Sequence, residues 1–219
     1  MENASVRCVR LNCLRFVLFC GALALVMLPN LAMGQDVMKV EEDWELVVLE
    51  PSPDITAPQI TCLISPFGDI DGVFGALELN HGSMPDFSSG GLQLQAWSGE
   101  SYITVRDYCD TTLQNNSEVV TWTTKMWLNN ASSERLTFKV ANGNSTSWGT
   151  FGGDGNFKLS LTSAILNLNE YDPAVSVANS GIGFGSQRVE RLVLKRVRYY
   201  DGWGNLLNED TTERVVHEQ

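Results

Sequence analysis

Three carboxylates alternate along one short segment of the chain, at Glu41, Asp43 and Glu45. Alternate side chains of a β-strand point to the same face, so a strand here would present all three together. Two carboxyl groups about 5 to 5.5 Å apart can act as nucleophile and acid/base in retaining glycoside hydrolysis. The same spacing suits an acidic strand beside a basic neighbour. We favour the charge-paired strand and assign no catalytic residue.

The basic neighbour is the segment from Arg188 to Tyr200, the clearest strand of the sequence. It holds five of the fifteen Lys and Arg residues, at Arg188, Arg191, Lys195, Arg196 and Arg198. We predict that Val40 to Val48 lies beside it. The alternation predicts Leu192 and Leu194 on one buried face and Val193 on the other, with the arginines toward the strand ends.

A short acidic loop offers the one candidate for a cofactor. Asp69 and Asp71 stand in the sequence GDIDG, and clustered carboxylate and carbonyl oxygens are the ligands that Ca²⁺ takes. Asp-Gly is also an ordinary turn signal. We expect a plain turn and no cofactor, with calcium at this loop as the alternative.

Polar and aromatic side chains gather on the predicted outer faces of several strands. Leu92 to Trp97 and Tyr102 to Tyr108 are predicted to form a hairpin around a four-residue loop, with Trp97 opposite Tyr102. Continued along the strands, this register places Gln95 opposite Thr104 and Gln93 opposite Arg106. The resulting candidate ligand-binding residues are Gln93, Gln95, Trp97, Tyr102, Arg106 and Trp127. Aromatic rings beside amide and guanidinium donors are typical of sugar sites. An ordinary solvated face, or one covered by a loop or partner, is the alternative.

The remaining reactive residue types are few. Cys62 and Cys109 are the cysteines outside the first 34 residues, and they are predicted to form a disulfide, with two buried thiols as the alternative. His81 and His217 are the only histidines. We interpret them as solvated residues of a turn and of the C-terminal tail, because no nucleophile motif accompanies them.

The elements that must position these residues are short β segments separated by turn-forming residues. Besides the strands above, we predict strands at 37–49, 59–65, 73–79, 119–128, 136–140, 157–161 and 163–168. No segment has a convincing run of apolar residues at the three- to four-residue spacing of an amphipathic helix. The fold class is therefore predicted to be all-β, an antiparallel β-sandwich of jelly-roll type, formed by a single domain over residues 35–219.

The first 34 residues resemble a secretory signal peptide, with Arg7, Arg10 and Arg15 before a short apolar run from Phe16 to Leu28. Without them the chain keeps 25 acidic and 12 basic residues, a net charge of −13. That charge disfavours nucleic acid and anionic membranes as partners. No later segment is apolar enough for a transmembrane helix. We expect an exported protein in the periplasm, the cell envelope or the extracellular space.

Two resemblances support this interpretation. The stretches GFGSQRVERLVLKRVRYYD and RLTFKVANGNSTSWGTFGG resemble the closing strands of concanavalin-like, laminin-G-type sandwiches, which implies that fold and, by analogy, glycan binding. More broadly, VEEDWELVV through NSGIGFGSQRV to ERVVHEQ resembles uncharacterised exported proteins of planctomycete bacteria. That group carries no activity to transfer.

The acidic triplet resembles the catalytic strand of laminarinase-type glycosidases only in part. Glu42 stands where an aliphatic residue is expected, and the triplet lies at the start of the domain. The sequence therefore favours an exported, non-catalytic binding or structural module, with a glycan or an envelope protein as partner. A glycosidase-like enzyme using Glu41 and Glu45, or a purely structural envelope protein, is the alternative.

Overall fold

The computed structural model describes residues 35–81, 91–109, 111–129, 135–153 and 157–219, with the backbone alone at 105–109. The predicted signal peptide, residues 1–34, lies outside the described residues. The strands are β1 Lys39–Val48, β2 Gln59–Ile64, β3 Val73–Leu79, β4 Leu92–Ser98, β5 Ser101–Cys109, β6 Glu118–Asn129, β7 Arg135–Ser145, β8 Gly149–Phe151, β9 Lys158–Thr162, β10 Gly181–Phe184, β11 Val189–Tyr200, β12 Leu206–Asp210 and β13 Arg214–Glu218. A short helix, α1, spans Pro173–Asn179.

These strands form two antiparallel sheets that pack face to face. The larger sheet has the order β12-β11-β1-β6-β7-β8, with β13 pairing with β11 and β9 pairing with β7. The smaller sheet has the order β10-β2-β3-β4-β5. The protein is thus an all-β sandwich, as predicted. The finer jelly-roll arrangement stays a prediction.

Alternation of apolar and polar residues explains which side of each strand is buried. Along β6, Val120, Trp122 and Met126 face the interior, and along β7 the inward Phe138 reaches across to the smaller sheet. A Cβ built on Gly75 in β3 would lie 2.7 Å from the Phe138 ring. The two sheets therefore interlock, with the bulky ring of one against a glycine of the other.

Most predicted strands are present within one or two residues of their predicted ends, but the predicted strand at 163–168 is wrong. That stretch leaves the sheet after β9. The backbone N–H of Leu168 donates instead to Val37 O at 2.7 Å. The sequence reasoning also missed α1, β8, β10, β12 and β13, which are short and carry little periodic signal.

The β4–β5 hairpin has the predicted contact between Trp97 and Tyr102, but its remaining register is wrong. The pairing slips by one residue after that contact, so that Ala96 lies opposite Thr104 and Gln95 opposite Val105. Ile103 is left as an extra residue in β5, and its side chain is 43% exposed. A β-bulge of this kind cannot be seen in an alternating pattern, because it breaks the alternation.

Helix α1 closes one side of the sandwich. Asp172 caps its N-terminus by accepting a hydrogen bond from the Ala174 N–H at 2.8 Å, and Pro173 occupies the first turn. The helix packs against β2 and β13. Within the described part of the chain, no helix has the length and apolar character that a bilayer crossing needs.

Candidate functional site

The predicted pairing of the acidic and basic strands is confirmed. Strand β1 lies between β11 and β6 in the larger sheet, with Glu41 opposite Arg198 and Asp43 opposite Arg196. Glu41, Asp43 and Glu45 share the outer face, where each makes ion pairs with Lys or Arg side chains. The triplet therefore lies inside the sheet, between two neighbours, and not along an edge.

A bulge in β11 sets the charge pattern of this face. Trp44 pairs with Leu194 whereas Asp43 pairs with Arg196, which leaves Lys195 as an extra residue. The bulge reverses the alternation of β11 at that point. Arg191 before it and Arg198 after it consequently face outward together. Each is the third residue from an end of β11, in agreement with the prediction that the arginines lie toward the strand ends. Leu192 and Leu194 are buried as predicted, and Val193, on the opposite face, is buried as well.

Glu41 is a nearly buried anion surrounded by cations. Its carboxylate contacts Lys125 Nζ at 2.9 Å, Lys39 Nζ at 3.1 Å and Arg198 at 3.2 Å. Burial opposes its ionisation, but the hydrogen bonds and charges of Lys125 and Lys39 prevail and lower the pKa of Glu41 to about 2. A carboxyl this acidic holds no proton at neutral pH, so it is poorly suited to act as a general acid.

Asp43 organises the polar groups beside it. Its carboxylate accepts hydrogen bonds from Thr123 Oγ1 at 2.7 Å, Arg196 Nε at 2.7 Å and Arg198 at 2.9 Å. Asn142 Nδ2 in turn donates to Thr123 Oγ1 at 3.1 Å. These bonds hold hydroxyl, amide, carboxylate and guanidinium groups in fixed orientations on the open sheet face.

We call this place the polar depression, a hollow of about 370 Å³ in the outer face of the larger sheet. Its polar lining consists of Asp43, Glu45, Thr121, Thr123, Asn142, Lys195, Arg196 and Arg198. A second bulge borders it, because the β6–β7 register shifts between Thr121 and Thr123. Asn142, at that bulge, has a left-handed backbone with φ of 54°. Bulges and left-handed non-glycine residues are frequent beside functional sites.

The fourth carboxyl on β1, that of Glu42, points the opposite way, into the sandwich. It is fully buried and accepts hydrogen bonds from Ser176 at 2.5 Å, Tyr171 at 2.7 Å and Trp44 Nε1 at 3.0 Å. Burial raises the pKa of Glu42 to about 7, although these three donors oppose the shift. Glu42 thereby links β1 to α1 and to the segment before it.

The predicted ligand-binding residues are not brought together. Gln93 and Gln95 are buried, contrary to prediction. They join Trp97 in a chain along β4, in which Trp97 Nε1 donates to Gln95 at 2.7 Å and Gln95 donates to Gln93 at 3.2 Å. Gln95 thus bonds to neighbours two residues away on both sides. Gln93 accepts one of these bonds through Oε1, whereas its Nε2 is buried without a hydrogen-bond partner.

The other members of the predicted set divide between the sheets. Tyr102 packs edge-on against Trp97 at 5.6 Å between ring centroids. Trp127 lies on β6 in the larger sheet, apart from them, with Lys158 Nζ 5.2 Å from its ring centroid. The side chain of Arg106 lies outside the described residues. Side-chain alternation cannot show which of two sheets a strand joins, which is why one predicted face became two.

The predicted disulfide is not formed. Cys62 is a free, buried thiol in β2, while Cys109 ends β5, and β3 and β4 lie between these strands. Three strand spacings amount to about 14 Å, whereas bridged cysteines have Cα atoms about 4.4 to 6.8 Å apart. The side chain of Cys109 lies outside the described residues.

Asp69 and Asp71 form a local turn, in which the Asp71 N–H donates to Asp69 Oδ1 at 3.1 Å. Among the described residues, no group of three or more His, Cys, Asp or Glu side chains is placed to hold a metal ion. The histidine predictions are wrong: His81 is buried, and His217 belongs to strand β13, where it contacts Val189 O at 3.1 Å.

Sequence reasoning missed Thr123, Asn142 and Glu42. The alternation of β6 did place Thr123 outward, but nothing local indicated that Asp43 would lie opposite it. Glu42 carried a usable signal, since it is the one charged residue in phase with the inward Val40 and Trp44. No protein-family model matches the chain, and comparison with curated proteins found no match.

Proposed function

We propose that this protein is an exported, non-catalytic β-sandwich module that binds a glycan in the polar depression. The observation that carries the proposal is a hollow of about 370 Å³ placed between two β-bulges, whose polar groups are oriented by hydrogen bonds with one another. Sugar hydroxyls both donate and accept hydrogen bonds. A lining of carboxylate, hydroxyl, amide and guanidinium groups matches both roles.

The charge of the lining argues for a ligand without high net charge. Asp43 and Glu45 lie beside Lys195, Arg196 and Arg198, and Arg196 also contacts Glu209 while Lys195 contacts Glu213. These charges nearly cancel. A neutral or weakly charged oligosaccharide therefore suits the depression better than a polyanion.

Trp127 extends the proposed surface along β6. It lies four residues beyond Thr123 in the strand, on the same face, at a distance of about 13 Å for an extended chain. An aromatic ring at that distance offers a stacking platform for a sugar ring further along the same chain. Trp127 is the one residue of the initial candidate set that this proposal retains.

Binding of the purified protein to a glycan array, with and without calcium, tests the proposal. Arg196→Gln and Asn142→Gly remove one guanidinium and one amide, and glycine preserves the left-handed backbone of position 142. We expect each to weaken binding at least tenfold. Arg135→Gln, an exposed position elsewhere on the same sheet, serves as the control. The absence of glycan binding by the parent protein contradicts the proposal. So does binding by both variants that is as tight as that of the parent protein.

A further inference from the structure

A second cavity lies at one end of the sandwich, where the two sheets open. It has a volume of about 410 Å³, which falls in the range of small-molecule sites. Six apolar side chains line it, those of Phe67, Val73, Ile103, Leu136, Leu161 and Ile165. They come from both sheets and from two connecting segments, so the cavity is bounded on several sides.

Two departures from regular β structure meet at this cavity. The bulge in β5 leaves Ile103 without a partner in β4 and directs its side chain to the cavity. The stretch after β9, which its sequence pattern predicts to be a strand, instead leaves the sheet and brings Ser163 and Ile165 to the opposite wall. Such irregularities are over-represented beside binding sites, where they redirect side chains.

The lining indicates the class of ligand. The described residues that line the cavity include no charged side chain, and three of them, Ser98, Thr162 and Ser163, carry hydroxyl groups. A charged ligand would lose its hydration there without gaining an ionic partner. A neutral molecule with an apolar body and one polar group would fill the volume and bond to a hydroxyl.

We propose that this cavity binds a small, uncharged amphiphile, such as a medium-chain alcohol or an aromatic molecule of similar size with one polar group. The cavity is distinct from the polar depression, which lies on the outer face of the larger sheet. The two sites can be tested independently, because their linings share no residue.

Titration with N-phenyl-1-naphthylamine, a neutral fluorophore that brightens in apolar surroundings, tests this site. We expect saturable binding of one probe per chain and its displacement by 1-octanol. Ile103→Glu places a charge at the cavity and Ser163→Phe fills it, so each should weaken probe binding at least tenfold. Val215→Glu, at a valine of similar exposure in β13, should bind as the parent protein does.

Failure of the parent protein to bind the probe saturably, or failure of 1-octanol to displace it, would overturn the proposal without recourse to any variant. Probe binding by folded Ile103→Glu and Ser163→Phe proteins that is as tight as that of the parent protein would also overturn it. A dimer in gel filtration that Ile103→Glu dissociates would assign the cavity to contact with a second copy instead.

Discussion

Several side chains of this protein lie in unusual environments, and that of Glu42 is the clearest example. A carboxyl group in the interior is stable only with hydrogen-bond donors around it. Ser176, Tyr171 and Trp44 provide them. Besides these donors, the described residues that interact electrostatically with Glu42 include Cys62, Tyr199 and Arg214. Of these, only Arg214 favours the ionised form.

Replacement Glu42→Gln should change how stability depends on pH. The pKa of Glu42 rises from its ordinary 4.5 to about 7 on folding. The stability due to its proton is therefore fully present below pH 4.5 and is lost as pH rises through 7, a loss of about 3 kcal/mol. Urea unfolding at pH 5 and pH 8 should show the variant gaining stability relative to the parent at the higher pH. Glu100→Gln, at an exposed position, is the control and should follow the pH dependence of the parent protein. If the free energy of unfolding of Glu42→Gln changed with pH in parallel with that of the parent, the prediction would be refuted.

Gly75 is the residue that allows the sheets to approach. A Cβ there would meet the Phe138 ring at 2.7 Å, so Gly75→Ala should destabilise the protein by about 1 to 3 kcal/mol through overpacking. Gly181→Ala, where the new Cβ meets open space, is the matched control. Thermal unfolding of both variants checks the prediction, and similar melting temperatures would contradict it.

At the scale of elements, the β1–β11 pair combines backbone pairing with charge pairing across the outer face. Asp43 is its centre, since it accepts hydrogen bonds from two arginines of β11 and one threonine of β6. Exposed ion pairs contribute little to stability, but hydrogen bonds to a charged, mostly shielded acceptor contribute more.

Asp43→Asn should therefore lower the free energy of unfolding by about 1 to 2 kcal/mol. The amide removes the negative charge that both arginines share. Arg196 and Arg198 then stay close together with only Glu209 and Glu41 to compensate their charges in part. Denaturant unfolding in low and in high salt measures this loss, which should shrink in high salt as repulsion between the arginines is screened. Glu190→Gln, at an exposed position of the same strand, should have no comparable effect. A salt-independent loss would show that the charge pairing is not responsible.

At the scale of the whole molecule, the fold is held by the interlocked sheets, and Cys62 is a free thiol within them. Burial raises the pKa of the Cys62 thiol, and the charge of Glu42 raises it further. Cys62 should resist alkylation by iodoacetamide in the native protein and react fully in denaturant without a reducing agent. Mass spectrometry of the labelled peptides measures this. A Cys62 that reacts only after reduction would mean that it is bridged.

The local features of this protein could be predicted from its amino-acid pattern. Alternation placed most strands, the phase of β6 and β7 identified their buried residues, and opposite charges on two strands predicted that β1 and β11 pair. Each of these predictions depends on residues that are close in the sequence or on two long segments of opposite charge. Local alternation and charge survive folding unless a bulge interrupts them.

Which polar groups form a site depends on how the strands pair and pack, and this could not be predicted from local patterns. The bulge at Lys195 turned Arg196 and Arg198 toward Asp43, and the assignment of β4 and β6 to different sheets separated Gln95 from Trp127. A one-residue shift in register reverses every side chain beyond it, and no local pattern encodes that shift. The acidic triplet was thus predictable as a paired strand, whereas the depression beside it depends on two bulges that only packing fixes.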